Sequence, residues 1–395
     1  MKNSIAKALT WVVRPAFSDK RIALLIPQHN EKTHCDIRER LYYFDSMARK
    51  YRDWLDLILI DDGSSDGSLT AIQQFIAEKE SLLFLAAVFP NARKVGALFA
   101  TALNISHEWV ITSDFDTDLY GLENLRRYLP LMRDPLVMGG YFRMLPFEGD
   151  GSIFLFQQLE YTFLRGLYRW HRKDRSVRVM PGAGSCYKRE ILVKLFKDHS
   201  GLRNGEDRET TILGIKKGYR THYLPKVEAL TRPPLTYRAL LRQRVRWNLG
   251  YLETFGKEWH WYWRQISSLT RIGIVTLFDI LFVAALLVSP VLIPVMSSFH
   301  WVPGLSILVG AVIAGICWPM TGLLGARTEY REIRRKLAKA SFLFPFIKLS
   351  MEWMAWTRAI ILFRQNNRKR MRAATQADLR VRQRKVAASS GPPAA

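Results

Sequence analysis

The sequence is poor in cysteine and in acidic residues. Its 395 residues include three cysteines, Cys35, Cys186 and Cys317, which lie far apart and form no CxxC pair. That spacing argues against a disulfide framework and a cysteine-based zinc site, and favours a reducing compartment. Asp and Glu number 35 against 59 Lys and Arg, a formal net charge of +24. This charge favours an anionic partner: nucleic acid, a membrane surface or a phosphate-bearing substrate.

A long apolar leader is also missing. The run "ALTWVV" near the N-terminus is followed directly by Arg14 and Pro15. A run of about six residues is too short for a signal peptide or a membrane span. We expect residues 1–20 to form an amphipathic segment that lies on a membrane as a short helix.

Short apolar runs alternate with helical patterns over residues 21–235. The runs "IALLIP", "LDLILIDDG", "LFLAAVF" and "WVITSDFD" each end in a polar or turn-forming residue, and patterns such as "SLTAIQQFIAEK" lie between them. This rhythm predicts an α/β domain with a mostly parallel sheet and helices on its faces. Ligands would then bind at the carboxyl ends of the strands.

Charge is absent from two long stretches, Ile280–Phe299 and Trp301–Ala326. Each is long enough to cross roughly 30 Å of hydrocarbon, so we predict two transmembrane helices within residues 271–327, with buried core helices as the alternative. Asp279 directly precedes the first stretch and is expected at headgroup level, although a carboxylate at this depth is also a functional candidate.

The segments around these stretches are basic. The sequences "RTEYREIRRKLAK" and "RQNNRKRMR" are rich in Lys and Arg, which places both on the cytoplasmic side. We therefore predict a basic loop and an interfacial helix over residues 328–363, with a third membrane span as the alternative. A basic, disordered tail follows over residues 364–395. The aromatic run "WHWYWRQ" predicts interfacial helices over residues 236–270.

Three carboxylates lie within five residues in "SDFDTD", at the end of a predicted strand. If the segment is extended, Asp114, Asp116 and Asp118 point to one side, so spacing alone does not select a metal-binding pair. Solvation of all three is the alternative. A second acidic turn, "DDGSSDGS", places Asp61 and Asp62 before a capped helix whose N-terminus attracts anions, although it could be a plain capped turn.

Seven motifs occur in a definite order: "IPQHNE", "DDGSSDGS", "NARKVGALFATAL", "SDFDTD", "PGAGSCYKRE", "GEDRET" and "QRVRW". This set closely resembles family 2 glycosyltransferases, in particular the membrane-embedded cellulose, chitin, hyaluronan and poly-N-acetylglucosamine synthases. The resemblance implies a Rossmann-like GT-A catalytic domain over residues 21–235, followed by interfacial helices and a C-terminal α-helical transmembrane region.

The resemblance assigns a donor site. It implies that the nucleotide sugar is bound by Pro27, Glu31, Asp62, Lys94, Asp114, Gln243 and Arg246. Asp114 and Asp116 match the DxD motif that holds Mg²⁺ or Mn²⁺, with Asp116 the direct ligand and Asp118 either solvated or supporting the ligands from behind. One or two carboxylates suffice, because Mg²⁺ takes phosphate oxygens and water as its other ligands. The chain lacks the family's Gly before Lys94.

The resemblance also assigns a base and an acceptor site. Asp207 in "GEDRET" corresponds to the catalytic base, with Gly205 in place of the family's Thr and Thr210 or Thr211 downstream. A favourable position in the first turn of a helix is the alternative for Asp207. The acceptor is expected to contact Gly182, Gly184, Ser185 and Trp247. "QQLEY" (Gln157–Tyr161) faces the same loop in relatives.

The sequence therefore predicts a multi-pass protein of the plasma (inner) membrane with a cytoplasmic catalytic domain. It would transfer sugar from a nucleotide-diphosphate sugar, by preference a UDP-sugar, to a growing β-linked polysaccharide by a metal-dependent, inverting reaction. Membrane lipid and membrane subunits are the expected partners, and nucleic acid is not. A transferase that adds one sugar to a lipid-linked or cell-envelope acceptor is the main alternative. A catalytically inactive, basic membrane scaffold is a remote one.

Overall fold

A nine-stranded mixed sheet organises the part of the chain that the structure describes. The computed structural model describes residues 8–14, 21–174, 177–201, 204–299 and 334–389, with isolated positions between 306 and 320. The strands are β1 (Leu9–Val13), β2 (Ile22–Gln28), β3 (Leu55–Asp61), β4 (Phe84–Val88), β5 (Trp109–Thr112), β6 (Thr117–Tyr120), β7 (Val137–Pro146), β8 (Ser185–Lys188) and β9 (Arg220–Thr231).

Helices connect these strands and continue beyond the last one. They are α1 (Ile37–Lys50), α2 (Ser68–Lys79), α3 (Arg93–Leu103), α4 (Leu125–Met132), α5 (Gly151–Asp174), α6 (Arg189–Asp198), α7 (Glu206–Lys216), α8 (Tyr237–Lys257), α9 (Trp259–Ser267), α10 (Arg271–Phe299) and α11 (Arg334–Ser389). The α/β class predicted from the sequence is confirmed.

The strand order is β1-β4-β3-β2-β5-β8-β7-β9-β6. The neighbours β4, β3, β2 and β5 are parallel, as are β7 and β9. The pairs β1–β4, β5–β8, β7–β8 and β6–β9 are antiparallel. The prediction of a mostly parallel sheet was therefore right only for the first half, because β8 runs back between β5 and β7 and β6 pairs antiparallel with β9.

The first half of the sheet is buried on both faces. Ile22 and Leu24 in β2 pack with Phe44 of α1 in one cluster, whereas Ala23 lies in a second cluster with Phe99 of α3. Successive side chains on a strand point to opposite faces, so a strand covered by helices on both sides must be apolar throughout. This is why "IALLIP" shows no polar alternation.

The N-terminal run forms an edge strand, contrary to the predicted amphipathic helix. Leu9–Val13 pairs antiparallel with β4, and Leu9 lies opposite Val88. β-branched and aromatic residues such as Trp11 and Val12 favour a strand, and the unpaired edge of β4 offers backbone partners that the sequence pattern alone does not reveal.

Helix α10 is the one described helix that is long and apolar enough to cross a membrane. Its window Arg271–Pro290 has a mean hydropathy of 2.5, and 17% of it is buried inside the protein. The second predicted span, Trp301–Ala326, lies outside the described residues apart from isolated positions. The two predicted spans therefore stay predictions.

Helix α11 packs one face on the sheet domain. Leu337, Phe344 and Met351 of α11 share a buried cluster with Phe156 of α5 and Leu240 of α8. Other apolar side chains of α11, including Phe342, Phe346 and Trp353, are exposed. This segment thus has one buried and one exposed apolar face, and its place at a membrane interface stays a prediction. The helix continues to Ser389, where a disordered tail was predicted, because Arg, Ala, Gln and Lys are good helix formers.

Candidate active site

Three parallel strands end beside one another at the same edge of the sheet. Gln28 ends β2, Asp61 ends β3 and Thr112 ends β5, and β2 lies between the other two. The segments that follow carry most of the predicted donor residues. The chain topology thus brings together motifs that are separated by up to about 90 residues of sequence, as the carboxyl-end rule for open α/β sheets predicts.

The loops after β2 and β3 are joined by hydrogen bonds. The Asn30 amide donates to Ser64 Oγ at 3.0 Å, the Ser65 amide donates to Asn30 Oδ1 at 2.8 Å, and the Lys32 amide donates to Ser68 Oγ at 3.0 Å. Glu31 sits on the short 3₁₀ turn that these bonds fix. The polar residues of "DDGSSDGS" therefore position Glu31. The side-chain cap expected at the start of α2 is not formed, because Gly67 occupies the N-cap position.

Asp62 is buried and holds the next loop. Its Oδ1 accepts from the Ala92 amide at 2.7 Å, and its backbone carbonyl accepts from Asn91 Nδ2 at 2.7 Å. Burial raises the pKa of Asp62 to about 6, although the Ala92 hydrogen bond opposes the shift. Asp62 therefore connects the strand end to the start of α3, and its contact with a nucleotide stays a prediction.

The acidic motif forms a loop between β5 and β6 and is not extended. Asp114 is partly buried. The side chain of Asp116 is exposed to solvent on one side, and other protein atoms crowd its carboxylate on the remaining sides. Burial and then the Asp114 carboxylate raise the pKa of Asp116. Burial and then Asp116 raise the pKa of Glu31. Asp114 and Asp116 thus repel one another and both act on Glu31, and a cation bound to the two aspartates would relieve their repulsion.

Asp118 lies apart from that pair, in β6. It forms a buried ion pair with Arg40 of α1 at 2.6 Å, in which the side chains are 6% and 7% exposed, and a second one with Arg232 at 3.1 Å. The expectation that alternation would point all three Asp side chains to one side was wrong, because the chain turns at Phe115–Asp116. Asp118 is therefore buried in ion pairs and not solvated, and its support of the metal ligands stays a prediction.

Arg40 and Arg232 fix the backbone of the loop as well. Arg40 donates from Nε to the Phe115 carbonyl at 2.9 Å and from Nη2 to the Thr117 carbonyl at 3.1 Å. Arg232 Nη1 donates to the Asp116 carbonyl at 3.2 Å. Sequence reasoning missed both arginines. No local signal marks Arg40, which lies in an amphipathic helix about 75 residues before the loop in sequence.

Lys94, in the first turn of α3, joins the acidic loop to the predicted base. Its Nζ donates to Asp114 Oδ1 and lies 3.7 Å from Glu206 Oε1. A Cβ atom added to Gly182 would lie 2.9 Å from Lys94 Nζ and 3.6 Å from Asp207 Cβ. Gly182 therefore lies directly against the end of the Lys94 side chain, which would have to shift if a Cβ were added. The loop, Lys94 and Asp207 share one site.

Asp207 lies in the first turn of α7. Its Oδ1 accepts from the Arg208 amide at 2.7 Å. Burial and then the neighbouring Glu206 carboxylate raise the pKa of Asp207 to about 6, against the opposing effect of Lys94. Thr211 Oγ1 donates to the Asp207 carbonyl at 2.7 Å and accepts from the Met180 amide at 2.9 Å. Of the two downstream threonines, Thr211 therefore connects the base helix to the glycine loop.

The departure from the family motif at Gly205 has a structural cause. Gly205 has a φ of +69°, and an added Cβ would lie 3.0 Å from the backbone of Gly250 in α8. In turn, a Cβ on Gly250 would lie 2.6 Å from Gly205 N. Thr at position 205 would meet both a left-handed backbone and a neighbouring main chain. The two glycines let α8 approach the start of α7 directly.

The residues of "QRVRW" lie on α8, one to two turns before Gly250. Gln243 is partly buried, whereas Arg246 and Trp247 are exposed, with 46% of Trp247 accessible. Because α8 contacts the start of α7 at Gly250, residues one turn earlier lie near the base helix. Among the described residues, Gln243 and Arg246 have no hydrogen-bond or ion-pair partner, and their contacts with pyrophosphate stay predictions.

Gly184 and Ser185 lie beneath the "PGAGS" loop. A Cβ on Gly184 would lie 2.7 Å from Ala229 Cβ. Ser185 is fully buried in β8, and its hydroxyl donates to the Pro181 carbonyl at 2.7 Å. Gly184 and Ser185 therefore support the backbone of the loop. Their direct contact with an acceptor stays a prediction. Pro27 is partly buried near the end of β2.

The acidic loop fits a hard divalent cation that shares its ligands with a diphosphate. Within the described part of the chain, no three His, Cys, Asp or Glu side chains lie close enough to hold a metal ion by themselves. The carboxylates of Asp114 and Asp116 are oxygen donors whose mutual repulsion a cation would relieve. The chemistry of the donor set therefore suits Mg²⁺ or Mn²⁺ bound with phosphate oxygens and water.

Comparison with known proteins agrees with this geometry. The model of the glycosyl transferase family group 2 matches residues 109–317, more than half of the chain. The chain is 26% identical over 242 residues to the probable glycosyltransferase YdaM of Bacillus subtilis, a match that covers 58% of this chain and 55% of that protein. It is 25% identical over 214 residues to an N-acetylglucosaminyltransferase of Bradyrhizobium diazoefficiens, with 51% and 43% covered. The chain spans about half the length of these curated relatives.

A solved structure shares the fold. The mannosyltransferase PcManGT from Pyrobaculum calidifontis, in complex with GDP-Man and Mn²⁺, matches with a TM-score of 0.50 over 91% of this chain and 92% of that one, at 17% identity. At this identity the likeness shows the fold alone. The mixed sheet described above is thus a GT-A glycosyltransferase-like fold.

Proposed function

Because this chain belongs to glycosyl transferase family group 2, we propose that it transfers a sugar from a nucleoside-diphosphate sugar, by preference a UDP-sugar, to a growing β-linked polysaccharide. The position of Lys94 carries the proposal. It pairs with Asp114 of the acidic loop and lies beside Glu206 in the first turn of the base helix. The residues expected to bind the leaving diphosphate and the residue expected to activate the acceptor therefore lie close to the same lysine.

The donor would bind at the carboxyl ends of β2, β3 and β5. Asp114 and Asp116 would hold Mg²⁺ or Mn²⁺, and the bound ion would neutralise charge on the departing diphosphate. The complex of PcManGT with GDP-Man and Mn²⁺ supports a nucleotide sugar and a divalent ion as ligands of this fold. Lys94 adds a fixed positive charge on the same side, and Arg246 is long enough and exposed enough to reach a phosphate from α8.

Asp207 would act as the general base. With a pKa of about 6, its carboxyl is mostly ionised at neutral pH and still basic enough to accept a proton. Oδ1 already accepts from the Arg208 amide, so we assign the proton from the acceptor hydroxyl to Oδ2. The hydroxyl oxygen forms a bond to the anomeric carbon as the bond to the diphosphate breaks. A single in-line displacement of this kind inverts the anomeric configuration.

The exposed Trp247 ring supports a sugar acceptor. An aromatic plane packs against the apolar face of a pyranose ring, and Trp247 is 46% exposed one turn before the contact between α8 and α7. Such a platform would let the end of a chain be retained between transfers. Relatives named N-acetylglucosaminyltransferase make UDP-N-acetylglucosamine the first donor to test.

We place the protein at the inner face of the plasma membrane, with its catalytic domain in the cytoplasm. Trp259 and Trp263 of α9 and Phe278, Leu281 and Phe282 of α10 are exposed apolar residues, as a helix pair entering a bilayer requires. Membrane lipid and membrane subunits are the proposed partners. These surfaces would keep the acceptor site close to the bilayer.

The test uses membranes from cells that express the chain. The membranes receive labelled UDP-N-acetylglucosamine, UDP-glucose or GDP-mannose, and the product is sized before and after glycosidase treatment. We expect high-molecular-mass, glycosidase-sensitive material from one donor, and at least about a 100-fold loss in Asp207→Asn because general-base catalysis contributes about 10²–10⁴-fold. Asp198→Asn, in an exposed ion pair with Lys217, is the matched control.

Each part of the proposal can fail separately. A product limited to one sugar on a lipid would replace polymerisation with single addition. Full transfer by Asp207→Asn would remove the base assignment. No transfer from any of the three donors by the wild-type chain would argue against the transferase activity itself.

A further inference from the structure

A cluster of four charged side chains connects α5, α8 and α11. Arg244 Nη2 donates to Glu160 Oε2, and Lys348 Nζ lies 2.7 Å from both Glu160 Oε1 and Glu352 Oε1. Glu160 and Arg244 are 9% and 12% exposed at their side chains. A buried ion pair contributes little net stability compared with apolar residues of the same size. Its presence beside the site therefore calls for a reason other than stability.

Glu160 is ionised at neutral pH. Burial alone would raise the pKa of Glu160, but Arg244 and then Lys348 hold it below its usual value. The carboxylate therefore carries a full charge that fixes the Arg244 guanidinium at one of its oxygens and the Lys348 ammonium at the other. Glu160 belongs to "QQLEY", a motif to which the reaction described above assigns no step.

Arg244 lies against Trp247. Its guanidinium carbon is 4.5 Å from the centroid of the Trp247 ring. The two residues are three positions apart on α8, so they share a face of the helix. A guanidinium stacked on one face of an indole is a favourable cation–π contact and restricts the orientation of the ring. The ring is still 46% exposed, which leaves apolar surface for another group.

The cluster also adjoins the donor side of the site. Tyr161, next to Glu160, has its pKa raised to about 12, mainly by burial, and the charges of Arg244, Glu160 and Asp116 all act on it. Tyr161 is therefore close enough to the ionic cluster and to Asp116 for the charges of both to act on it.

We propose that Glu160 and Arg244 are positioning residues that hold the Trp247 ring as a platform for the acceptor sugar. Glu160 fixes the guanidinium, the guanidinium covers one face of the indole, and the opposite face receives the sugar. Lys348 contacts the same carboxylate but does not take part in the stacking. This inference rests on the proposed transfer to a saccharide acceptor and adds the residues that orient it.

The first measurement does not depend on activity. The chain is labelled with 5-fluorotryptophan, and the ¹⁹F resonance of Trp247 is identified by its loss in Trp247→Phe. We expect Glu160→Gln and Arg244→Gln to shift or broaden this resonance and Lys348→Met to leave it in place. Arg244→Lys keeps the ion pair and tests the stacking if Glu160→Gln does not fold. An unchanged resonance in folded Glu160→Gln and Arg244→Gln would overturn the positioning.

The second measurement uses UDP-N-acetylglucosamine as donor and an N-acetylglucosamine tetramer as acceptor probe. We expect about a tenfold rise in acceptor KM for Glu160→Gln and for Arg244→Gln, because a stacking contact contributes about 1–2 kcal/mol. The double variant should show about the same rise, since Glu160 acts through Arg244. Lys348→Met should keep its acceptor KM, and the affinity for UDP should stay unchanged in all variants.

The two measurements separate the possible failures. Two results would mean that the cluster acts only on stability and would overturn the inference. One is a rise in acceptor KM in the double variant equal to the product of the two single rises. The other is a rise in acceptor KM in Lys348→Met as large as in Glu160→Gln. A shifted resonance without any transfer by the wild-type chain would retain the positioning and refute the proposed function for these probes. A shifted resonance with unchanged acceptor KM in every variant would refute the acceptor role of the platform.

Discussion

Replacing Gly250 by Ala tests whether α8 and α7 are in backbone contact at the site. Ala is normally the better residue inside a helix, by about 1 kcal/mol. At position 250, however, the new Cβ would lie 2.6 Å from Gly205 N and 2.8 Å from the carbonyl carbon of Asn204. These are main-chain atoms that cannot rotate away. We therefore expect the substitution to destabilise the protein.

Gly256 provides the control on the same helix. A Cβ at position 256 would meet only Phe363, at 3.4 Å, which is near ordinary contact with a side chain that can adjust. The gain in helix propensity is common to both variants and cancels in their comparison. The difference in the free energy of unfolding is then the overpacking cost at Gly250, about 1–3 kcal/mol. For domains of this size, that lowers the melting temperature of Gly250→Ala by about 2–12 °C relative to Gly256→Ala.

The assay is thermal unfolding of the purified protein in detergent, followed by sugar transfer below the melting temperature. Gly250→Ala should also reduce kcat, because the clash moves α8, with Trp247, away from α7, with Asp207. A displacement of about 1 Å at a reacting centre can cost about 100-fold. A Gly250→Ala protein that melts at or above the temperature of Gly256→Ala would refute the close approach of the two helices.

Four further predictions concern the acidic groups. With a pKa of about 6 for Asp207, kcat/KM should rise about tenfold from pH 5 to pH 7 as the base loses its proton. Glu206→Gln should move that midpoint to lower pH because it removes a charge that raises the pKa of Asp207, and a midpoint that stays or rises would contradict this. Arg40→Lys keeps the charge opposite Asp118 but loses the planar guanidinium, and it should raise donor KM about tenfold. Arg38→Lys, in the exposed pair with Glu78, is the control and should leave donor KM unchanged. Equal donor KM values in the two variants would exclude the loop-positioning role of Arg40. Chelation by EDTA should abolish transfer and added Mn²⁺ or Mg²⁺ restore it, while full activity in EDTA would exclude the metal.

Local patterns were sufficient to predict much of the fold. The apolar runs "IALLIP" and "LDLILIDDG" form buried neighbouring strands, since a strand covered on both faces must be apolar at every position. The helices "SLTAIQQFIAEK" and "QRVRW" were placed correctly by their periodicity and motif. The same patterns failed for "ALTWVV", because a strand at a sheet edge is defined by a partner that is distant in sequence.

The residues of the candidate site also fall into those that the sequence indicated and those that only the structure revealed. Motif order alone indicated Asp114, Asp116, Lys94 and Asp207, and the structure brings these four residues close together. Arg40, Arg232 and Glu206 could not be found from sequence, because ion pairs and carboxylate repulsion depend on distances across separate elements. The buried pair of Asp118 and Arg40 shows this directly, since its members are separated by 78 positions.

By itself, the sequence determined the α/β class, the family motifs and the apolar character of the C-terminal helices, because these depend on residue type and local spacing. Only the tertiary structure decided which Asp of "SDFDTD" is buried in ion pairs, why glycine replaces threonine at position 205, and how Glu160 reaches Trp247 through Arg244. Each of those depends on contacts between elements that are distant in the chain, and chain folding alone sets such distances.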